Sequence, residues 1–174
     1  MSMDMAEEII NKIALSGIQT LDLAKYYPET SNLITLDLKG YLFMEMILKE
    51  KDFRKQLSEK DWSEYDGKIV CIICSVDALI PHWAYMLLAS YLKANAKEVF
   101  IGTQEQWIEK TILSNIENQL EINDLEEVRV VIKGCGDKNI PASAYYKITE
   151  LLLPVAKSIM YGEPCSTVPV FKRK

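Results

Sequence analysis

Ile69-Val-Cys-Ile-Ile-Cys-Ser-Val-Asp-Ala-Leu-Ile-Pro-His-Trp-Ala-Tyr85 decides the fold, because the chain writes this stretch twice. Asp77-x-x-Ile80-Pro81-x-x-Ala84-Tyr85, followed by Leu92, Ala96-Lys97 and Gly102, returns sixty residues on. There it reads Asp137-x-x-Ile140-Pro141-x-x-Ala144-Tyr145, with Leu152, Ala156-Lys157 and Gly162. An apolar run ending in cysteine precedes each copy, Ile69 to Cys74 and Val128 to Cys135. Short runs so nearly all apolar are expected of strands covered on both faces. Pro81 suits the first position of a helix, where a missing N–H costs nothing, and that helix is predicted to run through Leu87, Leu88 and Leu92. Glu98–Ile101 is a further short strand, stopped by Gly102. The second copy repeats the pattern, with a helix over 143–153 and a strand over 158–161, and a long helix from Gln104 to Leu120 joins the two.

Strands alternating with helices define βαβ units and a largely parallel sheet. Right-handed crossovers then place the strand carboxyl ends on one edge, outside which ligands bind in open sheets of this kind. The expected architecture is one α/β domain over 1–174, three layers deep, with a mainly parallel sheet built on the duplicated units 68–102 and 128–162. Residues 1–67 add an amino-terminal portion. Ile9, Ile10, Ile13 and Leu15 mark a short amphipathic helix over 5–16, stopped by Gly17. Thr20-Leu-Asp-Leu23 and Thr35-Leu-Asp-Leu38 read as two hairpin-like strands, or an edge pair, separated by Pro28, Ser31 and Asn32. Tyr41 to Leu57 reads as a helix packed by one face.

With 174 residues, 49% of them hydrophobic, the chain can bury a core without disulfides or a structural metal. A net charge of -5 argues against nucleic acid as a partner, since binding to phosphates needs a positive surface. No apolar run approaches the roughly 18–20 residues of a membrane span. Asp4, Glu7 and Glu8 stand where a signal peptide carries positive charge, so a cytoplasmic protein with reduced cysteines is expected.

Cys71 and Cys74 form a C-x-x-C, but within a strand residues three apart face opposite sides. Cys71 is therefore expected to be a small core residue. Cys74 closes its strand, Cys135 lies between Gly134 and Gly136, and Cys165 follows Gly162-Glu-Pro164 in a proline-punctuated loop, Pro164 to Pro169. If the last strand lies beside the other two, these three thiols meet at one sheet edge. Three thiolates and one further ligand suit zinc or an iron–sulfur cluster. Asp77, Asp137 and His82 are the candidates for the fourth position, with Asp77 preferred. Against this stand a turn-capping role for each Asp and an ordinary exposed role for His82, whose counterpart is Ala142. No G-x-S-x-G, Walker loop, H-E-x-x-H or complete G-x-G-x-x-G occurs.

Cys74-Ser-Val-Asp-Ala-Leu-Ile-Pro-His-Trp-Ala-Tyr-Met-Leu-Leu-Ala89, Val131-Ile-Lys-Gly-Cys-Gly136 and Val155-Ala-Lys-Ser-Ile-Met-Tyr-Gly-Glu-Pro-Cys-Ser-Thr-Val-Pro169 carry a resemblance. In these segments, and over nearly its full length, the chain resembles the bacterial domain of unknown function 2480, found mainly in Bacteroidetes. The resemblance implies no activity. It implies a pattern that includes Cys74, Cys135 and Cys165 but neither Cys71 nor His82. Members encoded near iron–sulfur assembly genes imply iron–sulfur assembly proteins as partners. Two readings stay open: a three-cysteine metal site, accessory to iron–sulfur or metal metabolism, and a non-catalytic interaction or homo-oligomerisation module with incidental thiols. A metal-bound water served by Asp77 or Asp137 is a narrower form of the first.

Overall fold

A computed structural model of the chain describes residues 17–134, 136–163 and 165–174. The elements run β1 (Ile18–Asp22), β2 (Leu33–Asp37), α1 (Glu50–Glu59), β3 (Ile69–Ile73), α2 (His82–Leu92), β4 (Glu98–Ile101), α3 (Gln104–Gln119), β5 (Arg129–Lys133), α4 (Ala142–Leu152), β6 (Ser158–Glu163) and β7 (Ser166–Lys172). Turns of 3₁₀ helix stand at Leu23–Tyr26, Leu38–Tyr41, Ser63–Tyr65 and Ile122–Leu125. The chain forms two compact units, Glu29–Ile108 and Met1–Pro28 with Glu109–Lys174. One holds a parallel sheet in the order β2-β3-β4; the other holds β1-β5-β6, also parallel, with β7 antiparallel on β6.

The α/β class is the one expected, but the strands divide between two sheets instead of sharing one. The Thr-Leu-Asp-Leu segments are the reason. They do not pair with each other as a hairpin: β1 pairs with β5 and β2 with β3, each as the first strand of its own trio. The alternation that reads as a hairpin arm also describes the edge strand of a parallel sheet. Each unit therefore reads strand, 3₁₀ turn, helix, 3₁₀ turn, strand, helix, strand, with the unit Glu29–Ile108 inserted in the chain of the other.

The duplication extends to individual hydrogen bonds. Gly67 N–H donates to the Asn95 carbonyl and Glu127 N–H to the Val155 carbonyl, both at 3.0 Å. Lys97 to Lys68 and Lys157 to Val128 are likewise both 2.8 Å. Gly67 and Glu127 share a left-handed backbone, φ 67° and 57°, so an L-residue stands in one copy where glycine stands in the other.

In the unit Glu29–Ile108, Val70 and Ile72 of β3 pack with Phe53 and Leu57 of α1 and Ala84, Leu88 and Leu92 of α2. Both helices lie on one face because the sheet order advances in one direction and right-handed crossovers keep to one side. Ile69 and Cys71 point the other way, onto Trp107, which explains the unbroken apolar run of β3.

Two further expectations change. The helix expected from Tyr41 to Leu57 starts only at Glu50; Phe43–Ile47 is instead a tight turn in which Met44 and Glu45 adopt φ 50° and 57°. The loop expected over Pro164–Pro169 is largely β7. Pro169 is tolerated there because β7 is an edge strand, where a missing N–H can face outward. The helix expected over 5–16 lies outside the described residues.

Candidate functional site

Three adjacent parallel strands of one unit end in charged side chains: Asp22 closes β1, Lys133 closes β5 and Glu163 closes β6. Strand register sets Asp22 beside Lys133, and the Lys133 ammonium reaches Asp22 at 3.4 Å and Glu163 at 4.0 Å. The other Asp22 oxygen accepts the Ala24 amide at 3.0 Å, which starts the 3₁₀ turn and fixes the carboxylate at the edge. Tyr145 packs edge-on against Tyr161, ring centroids 5.7 Å apart, and the Lys138 ammonium lies 4.9 Å from the Tyr27 ring centre. Cys165, exposed, occupies the turn that joins Glu163 to Ser166.

At the equivalent edge of the other unit, Asp37 accepts the amides of Lys39 at 2.9 Å and Ser75 at 3.1 Å. Partial burial works against its charge. The Ser75 side chain, these two amides and the Lys39 ammonium outweigh that and hold the Asp37 carboxyl below its usual range. The central strand here ends in Ile73 where its counterpart ends in Lys133. Cys74, half-buried, follows Ile73, and its thiol donates to the Val76 carbonyl at 3.3 Å.

Cys71 is fully buried on the opposite face of β3 from Cys74, as the strand reading requires. Burial, with Glu98 and Glu105 nearby, pushes its thiol up, away from a ligand's role. Asp77 and Asp137 are exposed in the loops ahead of α2 and α4, and His82 is exposed as the first residue of α2. Cys74 and Asp77 thus belong to one unit and Cys165 to the other, while Cys135 lies outside the described residues. The single sheet edge expected to carry all three thiols is replaced by two edges. Among the described residues no group of three or more His, Cys, Asp and Glu is placed to hold a metal ion.

Sequence reasoning missed Asp22, Lys133 and Glu163. The repeated Thr-Leu-Asp-Leu was the available signal, since equivalent strands imply equivalent aspartates. A cavity of about 330 Å³ in the same unit is lined by Ile18, Arg129, Ser158 and Met160. These residues lie in the amino-terminal halves of their strands, away from the charged edge.

The fold defines an α/β protein made of two copies of a parallel three-stranded unit, one extended by an antiparallel strand. The family described as "Protein of unknown function (DUF2480)" matches residues 7–173, and the chain belongs to that family. Comparison with the curated proteins and with the solved structures finds no match. Among the described residues no helix is long and apolar enough to cross a membrane.

Proposed function

We propose that the chain binds a soft metal, zinc or an iron–sulfur cluster, through Cys135 and Cys165, and acts as a cytoplasmic accessory in iron–sulfur or metal metabolism. The pairing of β5 with β6 carries the reading. Cys165 comes two residues after the end of β6 and Cys135 two residues after the end of β5, so neighbouring parallel strands each run into a thiol. Strands about 4.8 Å apart are spaced for two ligands of one metal. Glu163 and Asp22 add carboxylates at the end of the same sheet, and Lys133 offsets the negative charge that accumulates there.

Metal analysis after reducing, anaerobic purification tests this. Stoichiometric metal in the wild type, kept in Cys71→Ser and lost in Cys135→Ser and Cys165→Ser, is the expected result. Cys74→Ser and Asp77→Asn, in the other unit, keep the metal. Wild-type protein that neither carries metal nor takes up zinc, or iron with sulfide, overturns the reading.

A non-catalytic interaction or homo-oligomerisation module is the second reading, and the turn Phe43–Ile47 favours it. Phe43 and Ile47 pair through their backbones at 2.8 and 3.1 Å, and Phe43, Met44, Met46 and Ile47 all stand exposed. A left-handed backbone costs an L-residue about 1–2 kcal/mol, twice over at Met44 and Glu45. Strain kept where large apolar side chains face solvent points to contact with another surface. Under this reading Met44→Asp with Ile47→Asp leaves the fold intact but abolishes self-association in sedimentation velocity. A wild type monomeric at all concentrations removes the homo-oligomer.

A further inference from the structure

β4 and β6 are the same strand of the duplicated unit, sixty residues apart, yet their outer edges differ. On β6 lies β7, antiparallel, with Phe171 opposite Ile159, Val168 opposite Tyr161 and the Arg173 amide on the Lys157 carbonyl at 3.0 Å. Beneath it Ile159 is 0% exposed, whereas Val99, its counterpart on β4, is 40% exposed and Ile101 is 62% exposed. Among the described residues β4 is the last strand of its sheet. Its Glu98 and Gly102 amides turn inward, to Lys68 at 3.4 Å and Ile72 at 2.9 Å. By alternation the N–H and C=O groups of Val99 and Ile101 face the open edge. A groove of about 270 Å³ opens at the Val99 end of this edge, lined by Ala89, Lys93, Ala96, Lys97, Glu98 and Val99.

Open edges are normally blunted by proline, inward charge or a bulge, because they template pairing with another chain. β7 has Pro169; Glu98-Val-Phe-Ile101 is short and opens on a charge but has no proline, glycine or bulge. We infer that β4 receives an extended segment of another protein as an antiparallel fourth strand, as β6 receives β7. That segment carries apolar side chains opposite Val99 and Ile101, a cation opposite Glu98 and a carboxylate opposite Lys97.

The last feature comes from comparing the two edges. In the β6 unit the Arg173 guanidinium is held by Glu127 and the Pro154 carbonyl. The positions equivalent to Glu127, Leu153, Pro154 and Lys157 are Gly67, Lys93, Ala94 and Lys97, so a guest arginine would keep a backbone carbonyl and a facing lysine but lose its carboxylate and gain the Lys93 ammonium. A carboxylate there meets two ammonium groups instead. A second copy fits less well. Its β7, Ser166–Lys172, is followed by Arg173 and Lys174, and β4 against β4, with Val99 opposite Ile101, sets Glu98 against Gly102 and Lys97 against Thr103, which offers no carboxylate to Lys97 and no cation to Glu98. The groove contains no thiol and no residue of the charged edge, so this inference does not depend on the metal reading.

The probe is the labelled peptide Ser-Thr-Val-Pro-Val-Phe-Lys-Glu, the β7 sequence with Arg173→Glu, titrated into the full chain by fluorescence anisotropy. Expected are saturable binding, at least tenfold weaker binding of the unaltered Ser-Thr-Val-Pro-Val-Phe-Lys-Arg peptide, and a similar loss in Lys93→Glu/Lys97→Glu protein. Hydrogen exchange supplies a readout independent of any protein variant: the Val99 and Ile101 amides gain protection on adding the peptide. The inference is overturned by absence of saturable binding, or by equal binding of the two peptides. It is also overturned if Val99 and Ile101 are already protected in the free protein, whether by its own chain in a monomer or by a second copy in a dimer seen by sedimentation.

Discussion

Gly134→Ala tests the geometry of the loop that carries the middle thiol. A Cβ added at Gly134 would lie 2.1 Å from Oη of Tyr145, 2.9 Å from its Cζ and 3.3 Å from Cγ1 of Ile140. The Tyr145 hydroxyl fills the space a side chain would need, so the substitution is an overpacking, expected to cost about 1–3 kcal/mol. With a urea slope of about 1–3 kcal/mol/M, that lowers the unfolding midpoint by about 1 M. Tyr145→Phe removes the atom at the closest contact and leaves the ring carbon. In that background Gly134→Ala should cost less, with a coupling of about 0.5 kcal/mol or more in the double-mutant cycle. Gly40→Ala is the control: nothing lies within 4 Å of a Cβ there, and the expected change is within about 0.5 kcal/mol. Equal losses in the two backgrounds, or none in either, would refute the close approach of Tyr145 to this loop.

Gly67→Ala should cost about 1 kcal/mol, because the residue sits at φ 67° with open space around it and only the backbone objects. Glu127→Gly, at the same point of the other copy, should not show this loss in urea unfolding. Of the three described cysteines, maleimide labelling read by mass spectrometry should modify Cys165 first, Cys74 more slowly, and Cys71 only on unfolding; early labelling of Cys71 would contradict its place in the core. Asp37→Asn should cost about 1 kcal/mol or less at neutral pH, the worth of a part-exposed cap. The folded carboxyl lies below its unfolded value of about 4, so its stabilisation is complete above that value and is lost as pH falls through the folded one. The gap between wild type and variant should therefore close in acid, and a gap that persisted at low pH would assign the effect elsewhere.

The βαβ repeats were legible because their signals are local: an apolar run, a proline at a helix start and a glycine at a strand end all act within a few residues. The first strand of each unit was not. β1 pairs with β5, from Ile18 to Arg129, across an inserted unit, while its look-alike β2 follows eleven residues after β1 ends. A half-buried alternating strand gives no hint of which distant partner it takes, so proximity in sequence suggested a hairpin. The turn at Met44 and Glu45 was invisible for a different reason: left-handed backbone is read from glycine or asparagine, and neither is there. Asp22, Lys133 and Glu163 could be assembled only after β1 had been placed beside β5.

The duplicated scaffold also explains the offset of the thiols. Alignment at sixty residues sets Cys74 against Gly134, and Cys135 one position further on. The space beside Gly134 is taken by the Tyr145 hydroxyl, so any side chain at that position requires the tyrosine that packs on Tyr161 to move. Gly136, at φ 150°, has nothing within 4 Å of a would-be side chain. The central strand changes at the same edge, from Ile73 to Lys133, and the open edge of β4 becomes the covered edge of β6. A role belonging to the scaffold would survive in both copies. Roles that depend on charge, thiol position or an unpaired strand fall on different copies, so variants made at equivalent positions act as controls for each other within one chain.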